Sequence, residues 1–177
     1  MRIITGKYKG RRFDIPRTFK ARPTTDFAKE NIFNVLGSYI DLEGVSALDL
    51  FSGTGSISLE MLSRGCSRVV SVEQDREHHA FIVQCLKKLG DGSCVPLRTD
   101  ALRFIKACRE QYDLVFADPP YALPELPRIP GMIIEKGLVK EGGVLVFEHG
   151  AKNDFSSLPH FAERRAYGSV NFSIFQF

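Results

Sequence analysis

Several features that mark other classes of protein are missing from this sequence. No apolar run approaches the ~20 residues of a membrane-spanning helix. The stretch from Met1 to Lys7 lacks the apolar segment of a secretory signal peptide. We therefore expect a cytoplasmic protein with no membrane association.

Cysteine and histidine are too few and too irregularly spaced to indicate a metal site or a disulfide framework. The four cysteines form no C-x-x-C pair, and the four histidines show no ligand spacing. We expect free thiols, mostly buried, and no metal ion. The cysteines are Cys66, Cys85, Cys94 and Cys108.

Acidic side chains are scarce in the first 22 residues, which contain only Asp14. The rest of the chain has sixteen basic and twenty acidic residues. Such an asymmetry favours a polyanionic partner, and nucleic acid fits better than the alternative of a solvated basic arm. The eight basic residues of this segment are Arg2, Lys7, Lys9, Arg11, Arg12, Arg17, Lys20 and Arg22.

The length of 177 residues, 44% of them hydrophobic, suits one compact domain. Residues 2–15 carry two apolar-bearing runs around Gly6 and Gly10, which predicts a β-hairpin with basic residues at its turn. We divide the chain into a basic hairpin extension, residues 1–22, and a main domain, residues 23–177.

Beyond Gly44 the sequence alternates strand and helix patterns, as in a parallel sheet with right-handed crossovers. A helix capped by Thr24 or Thr25 precedes them, and two strands joined near Gly168 end the chain. The predicted parallel strands are 47–51, 69–73, 93–99, 114–117 and 144–148, and the helices between them are 57–64, 77–89, 102–108 and 132–135.

The first predicted strand leads into a glycine-rich turn, A-L-D-L-F-S-G-T-G, residues 47–55. Glycines let the backbone approach a ligand, and the helix that follows presents unpaired N–H groups. Ser58 stands where a dinucleotide fingerprint needs its third glycine, and Asp49 is better placed for a cationic amino group than for a pyrophosphate. The pattern D-x-F-x-G-x-G resembles motif I of S-adenosylmethionine-dependent methyltransferases. This resemblance implies cofactor contacts from Asp49, Phe51, Ser52, Gly53 and Gly55.

Two further acids follow predicted strands. Glu73 ends the second strand, where its carboxylate could accept hydrogen bonds from ribose hydroxyls, and Gln74 comes directly after it. Asp100 follows the third strand, where this fold places an adenine contact, but it could equally cap the helix that begins at Ala101. We count all four residues as candidate cofactor contacts.

The most specific motif is D-P-P-Y, residues 118–121, after the apolar strand L-V-F-A. It resembles motif IV of methyltransferases that act on exocyclic amino groups of bases. The lone pair of an aromatic amine is spread into the ring, so its attack requires an oriented nitrogen whose N–H groups are held by acceptors. Asp118 supplies a carboxylate and Pro119 a rigidly held carbonyl, while Tyr121 offers a face for a flipped-out base. We predict these three residues to be catalytic.

Taken together, the motifs resemble the RsmD family of bacterial 16S ribosomal RNA guanine-N2 methyltransferases over nearly the whole chain. They are R-I-I-T-G-K-Y-K-G-R, R-P-T-T-D, D-L-F-S-G-T-G, E-Q-D, D-P-P-Y and a closing Y-G. The resemblance implies a Rossmann-like class I fold, with a seven-stranded, mostly parallel sheet closed by an antiparallel strand pair.

The same resemblance implies the reaction and the partners. A methyl group would pass from S-adenosylmethionine, leaving S-adenosylhomocysteine, to N2 of one guanine in 16S rRNA of the small ribosomal subunit. The enzyme would act as a monomer. RNA contacts are expected from Tyr121 and from the basic residues Arg2, Lys7, Lys9, Arg11, Arg12 and Arg22.

Two other functions remain open at this stage. D-P-P-Y also serves methylation of adenine N6 in DNA or RNA, or of a different rRNA guanine. A non-catalytic RNA-binding assembly factor with a methyltransferase fold is less consistent with a chain in which motifs I and IV are both complete.

Overall fold

The computed structural model describes residues 1–20 and 24–177, which form one seven-stranded sheet with helices on both faces. The strands are β1 (Ser46–Leu50), β2 (Arg68–Val72), β3 (Cys94–Leu97), β4 (Tyr112–Ala117), β5 (Val139–His149), β6 (Phe161–Tyr167) and β7 (Val170–Gln176). The helices are α1 (Asp26–Leu36), α2 (Ser56–Ser63), α3 (Arg76–Leu89), α4 (Ala101–Ala107) and α5 (Ile129–Lys136), with a 3₁₀ turn at Leu126–Arg128.

The strands lie in the order β3-β2-β1-β4-β5-β7-β6. Strands β1 to β5 are parallel, whereas β7 runs antiparallel to both β5 and β6. The predicted mostly parallel sheet with an antiparallel closing pair is therefore confirmed. The order reverses between β1 and β4, and in open α/β sheets ligands bind beyond the carboxyl ends of the strands at such a point. We call this side of the sheet the carboxyl edge.

The helix and strand boundaries follow the sequence patterns closely. Thr25 caps α1, and its hydroxyl accepts from the amide of Ala28, as predicted. The largest difference is β5, which begins at Val139 rather than at 144. Its first residues, V-K-E-G-G, have no apolar alternation, and Val139 pairs with Tyr112 across a register shift.

Alternate residues of β1 enter two separate cores. Ala47 packs with the apolar faces of α1, α2 and α3, whereas Leu48 and Leu50 pack with α4 and α5. Asp49 shares the face of Ala47 and is thus directed towards α2. Within the described part of the chain, no helix combines the length and apolarity needed to cross a membrane.

The predicted N-terminal hairpin is only partly formed. Its arms meet in a single antiparallel bridge between Arg2 and Arg12, without a ladder of strand length. Glu60 of α2 attaches this segment to the rest of the protein, because its buried carboxylate accepts from the amides of Ile4 at 2.9 Å and Thr5 at 3.0 Å. The pairing ends beyond Ile3 because the chain turns there: the amides of Lys9 and Arg11 donate to the carbonyls of Gly6 and Tyr8 within the turn.

Lys29 of α1 completes this attachment from inside the protein. Its side chain is buried, and its ammonium donates to the Arg2 carbonyl at 2.6 Å and to the Ser56 hydroxyl at 3.0 Å. The Glu60 carboxylate lies 3.6 Å away. Burial lowers the pKa of Lys29, although Glu60 opposes that shift. Lys29 thus joins the N-terminal segment to the first turn of α2.

Candidate active site

The glycine-rich turn adopts the conformation that its sequence predicts. Gly53 and Gly55 have φ values of 55° and 79°, and a side chain at Gly53 would meet no atom within 4 Å. At Gly55 an added Cβ would lie 2.9 Å from Ile82 of α3, so this glycine allows close helix packing. Phe51 also has a positive φ, 63°, which is uncommon for an aromatic residue and indicates a tightly constrained loop.

Asp49 is turned into the protein beneath this loop. It is 1% exposed and accepts a hydrogen bond from the hydroxyl of Ser58 on α2. Ser58 also contacts Ser71 of β2 at 2.9 Å. Burial raises the pKa of Asp49 to about 7, although the hydrogen bonds from Ser58 oppose the shift. The carboxyl group therefore joins β1 to the first turn of α2, and the predicted contact of Asp49 with a cationic ligand group stays a prediction.

Glu73 lies at the end of β2 and contacts the turn directly. One carboxylate oxygen accepts from the amide of Gly53 at 2.7 Å, and the other accepts from the amide of Asp75 at 2.8 Å. A carboxylate oxygen has two acceptor sites, so each still has capacity for a ligand hydroxyl. Gln74 is exposed beside it. Asp75 caps α3 by accepting from two of its amides, a role that the sequence analysis missed.

Asp100 has the capping role that the sequence analysis left open. It accepts from the amide of Arg103 at 2.8 Å, as the N-cap of α4, while Ala101 is buried at the first helical position. The adenine contact of Asp100 stays a prediction.

The D-P-P-Y segment begins where β4 ends, next to β1. The amide of Asp118 donates to the Leu50 carbonyl at 3.3 Å, and the aromatic ring of Tyr121 is half-exposed. No donor from the described residues bonds to the Pro119 carbonyl, which stays available as an acceptor. Burial raises the pKa of Asp118 well above its usual range, and the negative charges of Glu148 and Asp49 raise it further.

Glu148, which ends the apolar stretch V-L-V-F of β5, was not assigned a role from the sequence. Its carboxylate accepts from the hydroxyl of Tyr121 at 3.0 Å. The strand ends of β1, β2, β4 and β5 thus each place a carboxyl group at the carboxyl edge or just beneath it. Such a concentration of acids favours a cationic ligand. The four acids are Asp49, Glu73, Asp118 and Glu148.

The turn of the N-terminal segment lies away from this edge. The ammonium of Lys7 pairs with Asp91 at 2.9 Å, and Arg11 donates to the Lys88 carbonyl at 3.1 Å. Both partners lie where α3 ends, and a helix of 14 residues is roughly 20 Å long. The structure therefore does not bring Lys7 and Arg11 to the candidate site.

Two other basic residues of the segment, Arg17 and Lys20, lie nearer to the carboxyl edge. Phe19 packs against His78 in the first turn of α3, with ring centroids 4.4 Å apart and the rings tilted by 54°, so the exposed Arg17 and Lys20 lie near the start of that helix. Arg2 is paired with Asp26 at the start of α1. Lys9 and Arg12 are exposed, and Arg22 lies outside the described residues.

Known proteins resemble this chain along its whole length. The family described as conserved hypothetical protein 95 matches residues 1–176. A Bacillus subtilis protein named "Putative rRNA methyltransferase YlbH" is 36% identical over 153 residues, covering 84% of this chain and 82% of its own. Ribosomal RNA small subunit methyltransferase D of Escherichia coli is 27% identical over 179 residues, covering 99% and 89%.

Solved structures share the fold. A hypothetical protein of Thermus thermophilus superposes with a TM-score of 0.86 at 29% identity, covering 100% of this chain and 99% of its own. A protein described as "a putative methyltransferase complexed with SAH" superposes with a TM-score of 0.68 at 16% identity, covering 84% of this chain and 49% of its own. The expected class I methyltransferase fold is confirmed.

Proposed function

Because the chain belongs to the RsmD family of methyltransferases, we propose that it methylates the exocyclic N2 amine of one guanine in 16S rRNA of the small ribosomal subunit. The observation that carries the proposal is the position of D-P-P-Y at the end of β4, beside the glycine-rich turn that ends β1. The proposed cofactor site and the proposed base site would thus meet at the point where the strand order reverses.

The residues around the turn fit S-adenosylmethionine, which carries an ammonium group, a sulfonium group and a ribose. Glu73 retains acceptor capacity on both oxygens for ribose hydroxyls, and Gly53 leaves open space above the turn. The acids at the carboxyl edge suit the positive charges. When bound, this cofactor supplies an electrophilic methyl group.

The D-P-P-Y residues would orient the target amine. The Asp118 carboxylate and the Pro119 carbonyl accept from its two N–H groups as positive charge develops on nitrogen. The half-exposed ring of Tyr121 stacks on the base. No metal is needed for these roles.

RNA binding near the site would depend on the basic residues at the carboxyl edge. Arg17 and Lys20 flank Phe19, which fixes their loop on α3. We propose that they contact phosphates next to the target nucleotide, whereas Lys7 and Arg11 serve mainly to anchor the N-terminal segment.

The test is methyl transfer from labelled S-adenosylmethionine to undermethylated small subunits, naked rRNA and duplex DNA in parallel, followed by nucleoside analysis. We expect N2-methylguanine from ribosomal material alone. Asp118→Ala should bind the cofactor almost normally but lose on the order of 10²-fold or more in turnover. Asp113→Ala, at the opposite end of β4, is the control. Label in adenine, or full activity of Asp118→Ala, would contradict the proposal.

A further inference from the structure

Glu148 lies beside the D-P-P-Y segment on the neighbouring strand. Ala117 of β4 pairs with Phe147 of β5, so Asp118, which follows β4, lies beside Glu148, which still belongs to β5. The Glu148 side chain is 6% exposed, and one of its oxygens accepts from Tyr121. The other oxygen is buried without a hydrogen-bond donor among the described residues.

The residue beside this unpartnered oxygen of Glu148 is Asp118. Strand pairing places the carboxyl group of Asp118 beside that of Glu148, and each of the two groups shifts the pKa of the other. Two ionised carboxylates can only accept, so this contact is favourable only if the pair holds a proton. Burial raises the pKa of both groups, and the nearby charge of Asp49 adds to the effect on Asp118.

No cation from the surrounding elements compensates this pair among the described residues. Tyr121 donates to Glu148, and the buried Asp49 of β1 is a further acid that raises the pKa of Asp118. The imidazole of His149 instead contacts the Ser173 hydroxyl and the Gly150 carbonyl, both at 2.8 Å. A proton shared within the carboxyl pair would remove this repulsion and would give the buried oxygen of Glu148 a hydrogen-bond partner.

We propose that Glu148 is a positioning residue for methyl transfer, which holds Asp118 through one shared proton and holds Tyr121 through its hydroxyl. The role of Glu148 in methyl transfer rests on the proposed function, whereas the shared proton does not. The pair then carries one negative charge, and one oxygen of Asp118 stays free to accept from the target amine. This arrangement explains why a second acid lies behind the catalytic aspartate.

The charge of the pair also provides for the proton that the reaction releases. The amine lone pair forms the new N–C bond, the electrons of the C–S bond remain on sulfur, and the nitrogen is left with one proton too many. The pair accepts that proton and becomes neutral with two protons. It then returns one proton to water, which restores the starting state.

The shared proton predicts a distinctive pH dependence. Raising the pH removes it and leaves two adjacent negative charges, whereas lowering the pH adds a second proton and removes the acceptor. Wild-type turnover should therefore fall at both extremes. In Glu148→Gln the amide always supplies a donor to Asp118, so the alkaline fall should disappear while turnover at neutral pH stays within about 10-fold.

Single-turnover methylation of undermethylated small subunits across pH tests this prediction, with Glu141→Gln at the opposite end of β5 as the matched control. Glu148→Ala should lose on the order of 10²-fold in turnover with little change in KM, because Asp118 loses its partner. An unchanged pH profile in Glu148→Gln, or full turnover in Glu148→Ala, would overturn the proposal.

A substrate-free measurement separates this inference from the proposed function. Infrared titration of carboxyl groups at neutral pH should show one more protonated carboxyl in the wild type than in Glu148→Gln, with Asp49 contributing equally to both. If this difference is found but rRNA is not methylated, the proposed function fails and the shared proton stands. If there is no difference, the shared proton is refuted, whatever the substrate.

Discussion

The buried carboxyl group of Asp49 should make the stability of the fold depend on pH. Its pKa is raised from 3.8 to about 7 by burial. Between these values the unfolded chain has an ionised Asp49, whereas the folded protein keeps the proton. The folded state binds more protons, so this group lowers the free energy of unfolding as the pH rises from about 4 to about 7.

The magnitude follows from the shift. Each pKa unit corresponds to about 1.36 kcal/mol, so a shift from 3.8 to about 7 amounts to roughly 4 kcal/mol at most. Asp49→Asn removes the charge at every pH, and its amide oxygen still accepts from Ser58. As the pH rises, the free energy of unfolding of Asp49→Asn should increase relative to that of the wild type, by up to roughly 4 kcal/mol at pH 8.

Urea unfolding of both proteins at pH 5, 6, 7 and 8 measures this difference. Asp113→Asn is the matched control, because despite partial burial the pKa of Asp113 is lowered by hydrogen bonds from Ser46 and Lys140. The stability that ionised Asp113 contributes should be lost only at acidic pH. The free energy of unfolding of Asp113→Asn should therefore differ from that of the wild type by a nearly constant amount between pH 5 and 8. A constant offset for Asp49→Asn over the same range would refute the buried, proton-binding carboxyl group.

Three further predictions concern the site. Glu73→Ala should weaken S-adenosylmethionine binding in calorimetry by roughly 1 to 3 kcal/mol, and an unchanged affinity in a folded variant would remove Glu73 from the cofactor site. Tyr121→Phe keeps the stacking face but removes the hydrogen bond to Glu148, so turnover should fall about 10-fold while KM is retained. Tyr121→Ala should in addition lose about 1 to 3 kcal/mol of base stacking. An unaltered Tyr121→Phe enzyme would show that the hydroxyl is dispensable. Replacing Arg17 and Lys20 by Ala should reduce the salt dependence of small-subunit binding more than replacing Lys7 and Arg11, and the reverse order would place the RNA on the other end of α3.

The sequence alone determined the fold and the elements that carry the candidate site. Alternation of apolar runs with helical patterns is a local property, so the strands and helices were predicted with small errors at their ends. The turn at Gly53 and Gly55 and the segment from Asp118 to Tyr121 are continuous motifs whose conformations depend on glycine and proline. Parallel strands in turn bring their carboxyl ends to one edge.

Only the tertiary structure decided which side chains meet and in which state. Glu148 is separated from Tyr121 by 27 positions, and no local pattern indicates that its carboxyl group would be buried against Asp118. The alternation of β1 directs Asp49 towards Ser58 rather than into open space. Glu60 accepts from the amides of Ile4 and Thr5 from 56 and 55 positions away, which attaches the N-terminal segment to α2. In each case burial sets the cost of a charge, and burial is a property of the packed molecule that composition and spacing do not determine.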